Sequence, residues 1–236
     1  MKNIIKLLVV LPFIVGFVCT SCEDPLPNKA VNEWEDKDVF RIPQMAEGVL
    51  NKAYSNINNR LDYFQNNFLD VATDNALTND QSTEVYKVGQ GLMTTFSNRI
   101  GNWTECYNNL QYINKFMEEG LTDVVKYSKS DSITDAAIKR RLLGEAYFLR
   151  AWWSFQLLQR HGGKTDGGEA LGYPIVTKFI TDEEARDPDL FVRNTYEECV
   201  NQIVADCDSA INRLPVKYTG NDVVTGIQHT GRATSI

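Results

Sequence analysis

Between Ala136 and Gly163 the chain reads AAIKRRLLGEAYFLRAWWSFQLLQRHGG, and this stretch limits the fold more than any other. On a helix of about 3.6 residues per turn, Leu142, Ala146, Leu149, Trp153 and Leu157 line one face. Leu143, Tyr147, Ala151, Phe155 and Leu158 widen the apolar arc well past a single stripe. A surface helix carries one apolar stripe; a helix this apolar needs neighbours on most of its sides. Arg141 and Glu145 stand at i and i+4 on the polar side that remains. His161 closes the last turn, and Gly162 offers the left-handed residue that a helix C-cap wants. The pattern predicts a central helix with other helices packed around it.

Those neighbours are legible too. From about Pro43, Ala46, Val49, Leu50, Ala53, Tyr54 and Ile57 give an i, i+3, i+4 face, with proline in the first turn. A second helix spans about Asn102 to Glu119, with Trp103, Tyr107, Leu110, Ile113 and Met117 on its core face and Gly120 ending it. The positions of Trp103, Trp152 and Trp153 on helical packing faces assign all three to the core. A third helix opens at Thr195 with Glu198 three residues on, a capping box, and continues as a Tyr196, Val200, Ile203, Cys207, Ile211, Leu214 stripe until Pro215. Strand signals are scarce, so four helices of about 15 to 25 residues predict an all-α, mainly helical chain.

The connections tempt chemical readings. FLDVATDNALTND, residues 68–80, carries Asp70 and Asp74, but not the alternating oxygen ligands and sixth-position glycine of an EF-hand. Helix capping is the expected role for its Asp and Asn residues. GGKTDGGEALG, residues 162–172, has no glycine six residues before its lysine, where Leu158 stands. It also follows a helix, so it is a turn and not a phosphate loop. GYPIVTKF then reads as a short extended segment. The Asn102-Trp103-Thr104 sequon at a helix start is read as coincidental. Between Gly89 and Gly101 the loop GQGLMTTFSNRIG presents one exposed aromatic, Phe96, close to Asn98.

Charge and cysteine usage bound the function. The net charge is −7, and without Lys2 and Lys6 of the leader 22 basic residues face 31 acidic ones, a net charge of −9. Binding nucleic acid needs clustered Lys and Arg, and no basic stripe exists here. Lys2 and Lys6 followed by the apolar run Leu7 to Val18 form a secretory leader, too short for a comfortable membrane span. It ends on Thr20-Ser21-Cys22. Of the remaining cysteines, Cys199 and Cys207 lie about 12 Å apart along one helix, beyond disulfide reach. No CxxC or Cys/His pairing suggests a metal, so Cys106, Cys199 and Cys207 are expected as buried thiols.

Several of these segments together resemble one family. GEAYFLRAWWSFQLLQRHGG is similar to the signature helix of SusD/RagB-type outer-membrane nutrient-binding lipoproteins, a GEA-x-F-L-R-A core followed by aromatics and a terminal glycine pair. WTECYNNLQYINKF resembles the family's W-x-x-x-Y-x-x-I-x-x-x-N helix, with Leu110 where Ile is usual. The D-x-x-x-D of Asp70 and Asp74, the G-x-P-x-V run from Gly172 and the helix RNTYEECVNQIVADCDSAINRLP are similar as well. GRAT near the carboxyl end resembles the opening of the family's next long helix.

The resemblance implies a tetratricopeptide-like helical bundle of SusD type, truncated before its C-terminal part; no clean repeat of about 34 residues supports that label independently. It implies a lipoprotein signal over residues 1–21, a lipid-anchored tether over 22–42 with Trp34 as a possible clamp, and an incomplete amino-terminal helical domain over 43–236. The Ser-Cys end resembles a lipobox in which Cys22 carries the lipid, with Cys19 as a competing anchor; Glu23-Asp24 resembles the export flank of Bacteroidetes surface lipoproteins. The implied role is capture of oligosaccharide at the cell exterior for a TonB-dependent SusC-like transporter, with no enzymatic activity, no cofactor and no metal. Phe96 and Asn98 stand where a Trp and an Asn serve as ligand contacts in the family. Two alternatives stay open: peptide capture of RagB type, and a helical adaptor binding only protein. For an enzyme, His161 and His229 with no nucleophile motif offer no placed acid and base.

Overall fold

The computed structural model describes residues 36–60, 69–94, 96–218 and 233–235. The leader, Cys19, Cys22, Trp34 and His229 lie outside them. The described residues fall in one compact unit, Asp36–Ile236. The helices are α1 (Asp36–Val39), α2 (Pro43–Arg60), α3 (Glu84–Gly89), α4 (Trp103–Lys115), α5 (Ser132–His161) and α6 (Tyr196–Ile211). The helical body therefore begins inside the stretch expected as tether: Phe40, just after α1, is buried against Ala46 and Val125. A π-helical turn, Phe116–Gly120, extends α4. β1 (Gly163–Lys164) and β2 (Ala170–Leu171) pair antiparallel.

The central helix is α5, and it starts at Ser132, four residues before the predicted boundary, because Asp131 accepts the Thr134 N–H as an N-cap. The predicted face is fully buried at Leu142, Ala146, Leu149, Trp153 and Leu157. Leu50, Ala53 and Ile57 of α2, Cys106, Leu110 and Ile113 of α4, and Cys199 of α6 close over it in one apolar cluster. Glu145, expected on the polar side, is wholly buried and paired with Arg141. The enclosure is not complete, because Phe155 of the predicted wider arc is 46% exposed while Glu145 lies on the covered side.

Gly162 is not left-handed: its φ is −75° and ψ 154°, because the chain runs straight from α5 into β1. Its hydrogen side is needed for close approach, since a Cβ there would lie 2.6 Å from the Leu158 carbonyl oxygen. The turn residue of the hairpin is Gly168, at φ +85°, a conformation that glycine adopts without strain.

The capping box of α6 forms as predicted between Thr195 and Glu198. Its rotation matches the predicted stripe at Ile203 and Leu214, which pack inward, and differs at the rest. The side facing α5 carries Cys199, Asp206 and Ala210, while Tyr196, Val200, Cys207 and Ile211 are exposed. Small residues face inward on this side, and just past the end of α6 the chain comes close to α5, where a Cβ on Gly144 would lie 2.9 Å from the Arg213 Cβ. Asp206 is held inward by Arg150 of α5, which donates from Nε at 2.8 Å and from Nη2 at 2.6 Å.

Candidate functional site

The loop between α3 and α4 meets the end of α5 at a cluster of aromatic and amide side chains. Thr94 and Ser97 exchange backbone hydrogen bonds across a tight turn, leaving Phe96 fully exposed at its tip. Arg99 ties the back of the loop to α3, donating to the Leu92 carbonyl at 2.9 Å and to Glu84 at 2.6 Å. Asn98 fixes the other side: its amide donates to the Arg160 carbonyl at 2.8 Å, and its Oδ1 accepts the Ile100 N–H at 3.3 Å. Phe96 is thus presented to solvent, while the Asn98 amide is engaged with the last turn of α5.

His161 carries this anchor onward. Its Nε2 accepts the Asn102 N–H at 3.3 Å, which requires a neutral ring. Burial, then the positive charges of Arg193 and Arg160, push its pKa below the ordinary value, favouring that neutral form. The ring meets Trp103 edge-on, with centroids 5.2 Å apart. Tyr107 packs on Trp103 at 5.0 Å, and the Arg193 guanidinium lies 5.9 Å from the indole centroid. Arg193 also donates to the His161 carbonyl. Trp103, read from sequence as a core residue, is instead 37% exposed. The α4 face that meets α5 belongs to Cys106, Leu110 and Ile113, and Trp103 falls a quarter-turn to the side.

Beside Trp103 lies a hollow of about 370 Å³. Its wall is one face of α4, with Trp103, Thr104, Tyr107, Asn108 and Gln111. Val176 and Ile180 of the segment after β2 close the opposite side, and Phe191, 42% exposed, stands at the edge. Side chains of α4 hold that segment by its backbone. Tyr107 Oη donates to the Pro174 carbonyl at 2.7 Å. Gln111 pairs with both the N–H and the carbonyl of Ile180 at 3.0 Å. Asn114 donates to the Val176 and Lys178 carbonyls at 3.1 and 2.9 Å. Burial raises the Tyr107 hydroxyl pKa, so it stays a proton donor to Pro174. The hydroxyl of Tyr107 and the amide of Gln111 are therefore committed to the protein, and the exposed Asn108 and Thr104 are the polar groups the hollow turns to solvent.

The hollow escaped the sequence reading although its signal was available: Trp103, Tyr107 and Gln111 recur at i, i+4 and i+8, off the Leu110 and Ile113 face. The arrangement supplies aromatic faces and an amide, with no carboxylate or imidazole in the lining. Asp70, at the start of a 3-10 turn, and Asp74 lie outside it. They are not the cap of α3 either, which is Thr83. Among the described residues no group of three or more Cys, His, Asp and Glu side chains could hold a metal. Cys106 and Cys199 are buried as expected, but Cys207 is exposed because α6 is rotated. The Asn102 side chain of the sequon is buried at the start of α4. No helix of the described residues is long and apolar enough to cross a membrane.

The chain resembles known structures across this whole body. A SusD-like protein of Bacteroides fragilis superposes with a TM-score of 0.62 at 21% identity, covering 85% of this chain and 34% of its own. A laminarin binding SusD-like protein gives 0.59 at 17% identity, covering 81% of this chain and 37% of its own. A SusD-like carbohydrate binding protein, also of Bacteroides fragilis, gives 0.56 at 20% identity, covering 84% and 35%. The chain thus spans about a third of the length of these solved proteins. No curated protein sequence matches it. The family described as "SusD-like: Starch-binding associating with outer membrane" matches residues 27–229. A match over that span, on a helical body that superposes on several members, means that the chain belongs to the SusD/RagB family.

Proposed function

We propose that this protein binds oligosaccharide at the cell exterior and delivers it, chemically unchanged, to a TonB-dependent SusC-like transporter, held on the outer membrane by lipid on Cys22. The observation that carries the reading is the aromatic-edged hollow of about 370 Å³ between Trp103 and Phe191, next to the loop that exposes Phe96. Sugar rings expose C–H faces that pack on aromatic side chains, while amides bond their hydroxyls; Asn108 and Thr104 are placed for that second task. Phe96 contacts ligand directly, and Asn98 contributes to the site by holding the turn on which Phe96 sits. The family's description and the laminarin-binding relative support glycan as the ligand class.

One observation favours a second reading. With Tyr107 and Gln111 hydrogen-bonded to backbone, the hollow is mostly apolar, which suits an apolar side chain of a bound peptide as well as a sugar ring. A carbohydrate array probed with the lipid-free protein, run beside a peptide library, separates the two. Glycan binding that falls in both Phe96→Ala and Trp103→Ala supports the first. Peptide binding with a blank array replaces it with the second.

A further inference from the structure

Arg193 stands beside the hollow without a counter-charge. Its side chain is exposed, two residues past Phe191 at the hollow's edge, and its guanidinium lies over the Trp103 ring, 5.9 Å from the centroid. Tyr107 and His161 already pack against the same indole, at 5.0 and 5.2 Å. A ligand ring stacked on Trp103 therefore comes to lie beside the guanidinium. Burial dominates the raised pKa of the Tyr107 hydroxyl, but Arg193 draws it back down, so its field reaches a second residue of the lining.

Other cations of this chain are met by carboxylates: Arg99 by Glu84, Arg141 by Glu145, Arg150 by Asp206 and Lys178 by Glu184. Among the described residues no carboxylate pairs with Arg193, and its side chain makes one hydrogen bond, to the His161 carbonyl. That bond holds one end of the guanidinium and leaves most of its N–H donors unused. Of the acids in the same stretch, Asp187 accepts the Asp189 N–H at 3.0 Å and Glu198 accepts the Thr195 N–H at 2.9 Å. Neither they nor Asp189 line the hollow. A guanidinium fixed beside an aromatic platform suits a planar carboxylate, which it binds through two parallel N–H bonds. We infer that the hollow selects acidic oligosaccharide, a chain containing uronic acid, whose ring packs on Trp103 and Phe191 while its carboxylate forks on Arg193. The inference rests on the glycan reading above and narrows it, since a neutral sugar finds only an ordinary hydrogen bond at Arg193. The net charge of −7 repels such a ligand at long range, but salt near 0.15 M screens charges beyond about 8 Å and leaves the direct contact.

The test prints oligomers of galacturonic and glucuronic acid beside their full methyl esters, with neutral oligosaccharides on the same array, and probes it with lipid-free protein near neutral pH in about 0.15 M salt. Each acid and its ester share ring and linkage and differ only at the carboxyl group. In calorimetric titration of the best pair, the acid binds at least about tenfold more tightly than its ester. Arg193→Gln brings the two dissociation constants together, and Arg193→Glu makes the ester the tighter ligand. An arginine that served only to hold the His161 turn would lower both affinities in Arg193→Gln and leave their ratio unchanged. That result overturns the inference, as does an ester that binds as well as its acid. If neutral oligosaccharides bind and neither uronate form does, the inference falls and glycan capture stands. A wholly blank array overturns the glycan reading, and this inference with it.

Discussion

Arg150 and Asp206 grip each other across the contact between α5 and α6, guanidinium forked on carboxylate, with side chains 8% and 2% exposed. Around the pair, Gln202 donates to the same carboxylate at 3.2 Å, and Arg150 Nη1 donates to the Thr177 carbonyl at 3.2 Å. The arginine face also lies over the Tyr147 ring, 5.1 Å from its centroid. One side chain of the central helix thus fixes the rotation of α6 and the path of the segment that forms one side of the hollow.

Removing one partner leaves the other charge buried and alone, which costs about 3–5 kcal/mol, whereas replacing both by apolar groups is often near neutral. Arg150→Met should therefore lower the urea unfolding free energy by roughly that amount. Arg150→Met with Asp206→Leu should recover most of it. A double variant no better than the single would show that Arg150 acts through Thr177 and Tyr147 and not through the ion pair.

Gly172 stands where a Cβ would lie 2.3 Å from the Cys199 sulfur. That sulfur also accepts the Tyr173 N–H and faces its carbonyl, each at 3.3 Å. Gly172→Ala should cost about 1–3 kcal/mol by overpacking. Cys199→Ala clears the space, so the double variant should be more stable than the sum of the singles requires, a coupling read from a double-mutant cycle in denaturant. Strict additivity would mean that the chain relieves the clash elsewhere.

Much of this architecture was legible because burial on a helix follows a period. Leu142, Ala146, Leu149, Trp153 and Leu157 were predicted together and are buried together. What periodicity does not carry is how close two helices come. The apolar line of α6 was plain, yet small residues and an ion pair make the contact with α5, and Gly144 lies against the chain just past α6, while Val200 and Ile211 stay exposed. An i, i+4 pair such as Arg141 and Glu145 reads the same whether wet or enclosed. The hollow depends on Tyr107, Gln111 and Asn114 bonding the backbone of residues 174–180, some 60 to 70 positions away. Only the fold reveals that the W-x-x-x-Y helix and the G-x-P-x-V run are two halves of one contact.

His161 makes stability depend on pH in its own window. Its folded pKa lies below the ordinary 6.5, first through burial and then through Arg193 and Arg160. The unfolded chain takes up the proton first as pH falls, so this contribution is complete above about 6.5 and is lost from there down to the lower folded value. Paired carboxylates act lower: hydrogen bonds from Lys178 and then Thr181 hold Glu184 at about 2 against an ordinary 4.5, and its contribution disappears between those values. Unfolding midpoints measured from pH 8 to 2 should show the upper step and then a lower decline that Glu184 shares with the other hydrogen-bonded carboxylates, with His161→Gln removing the upper one alone. An unchanged upper step would assign it to another group.

The same imidazole links the loop carrying Phe96 and Asn98 to the hollow, and the two side chains sit differently in it. Phe96 touches solvent only, so Phe96→Ala should weaken ligand by about tenfold or less while leaving the unfolding midpoint unchanged. Asn98→Ala removes the bond to the Arg160 carbonyl and leaves that acceptor unmet, costing about 1–2 kcal/mol of stability as well as affinity. It should also raise hydrogen exchange at Ile100 and Gly101, whose positions depend on Asn98. Trp103→Ala should weaken binding more than Phe96→Ala, because Trp103 lines the hollow and its ring is fixed between Tyr107 and His161. Calorimetric titration of the three variants with the oligosaccharide chosen from the array, beside exchange by mass spectrometry, reads both effects. If Asn98→Ala lost affinity with no change in stability or exchange, Asn98 would be a direct ligand contact and the loop would have another anchor.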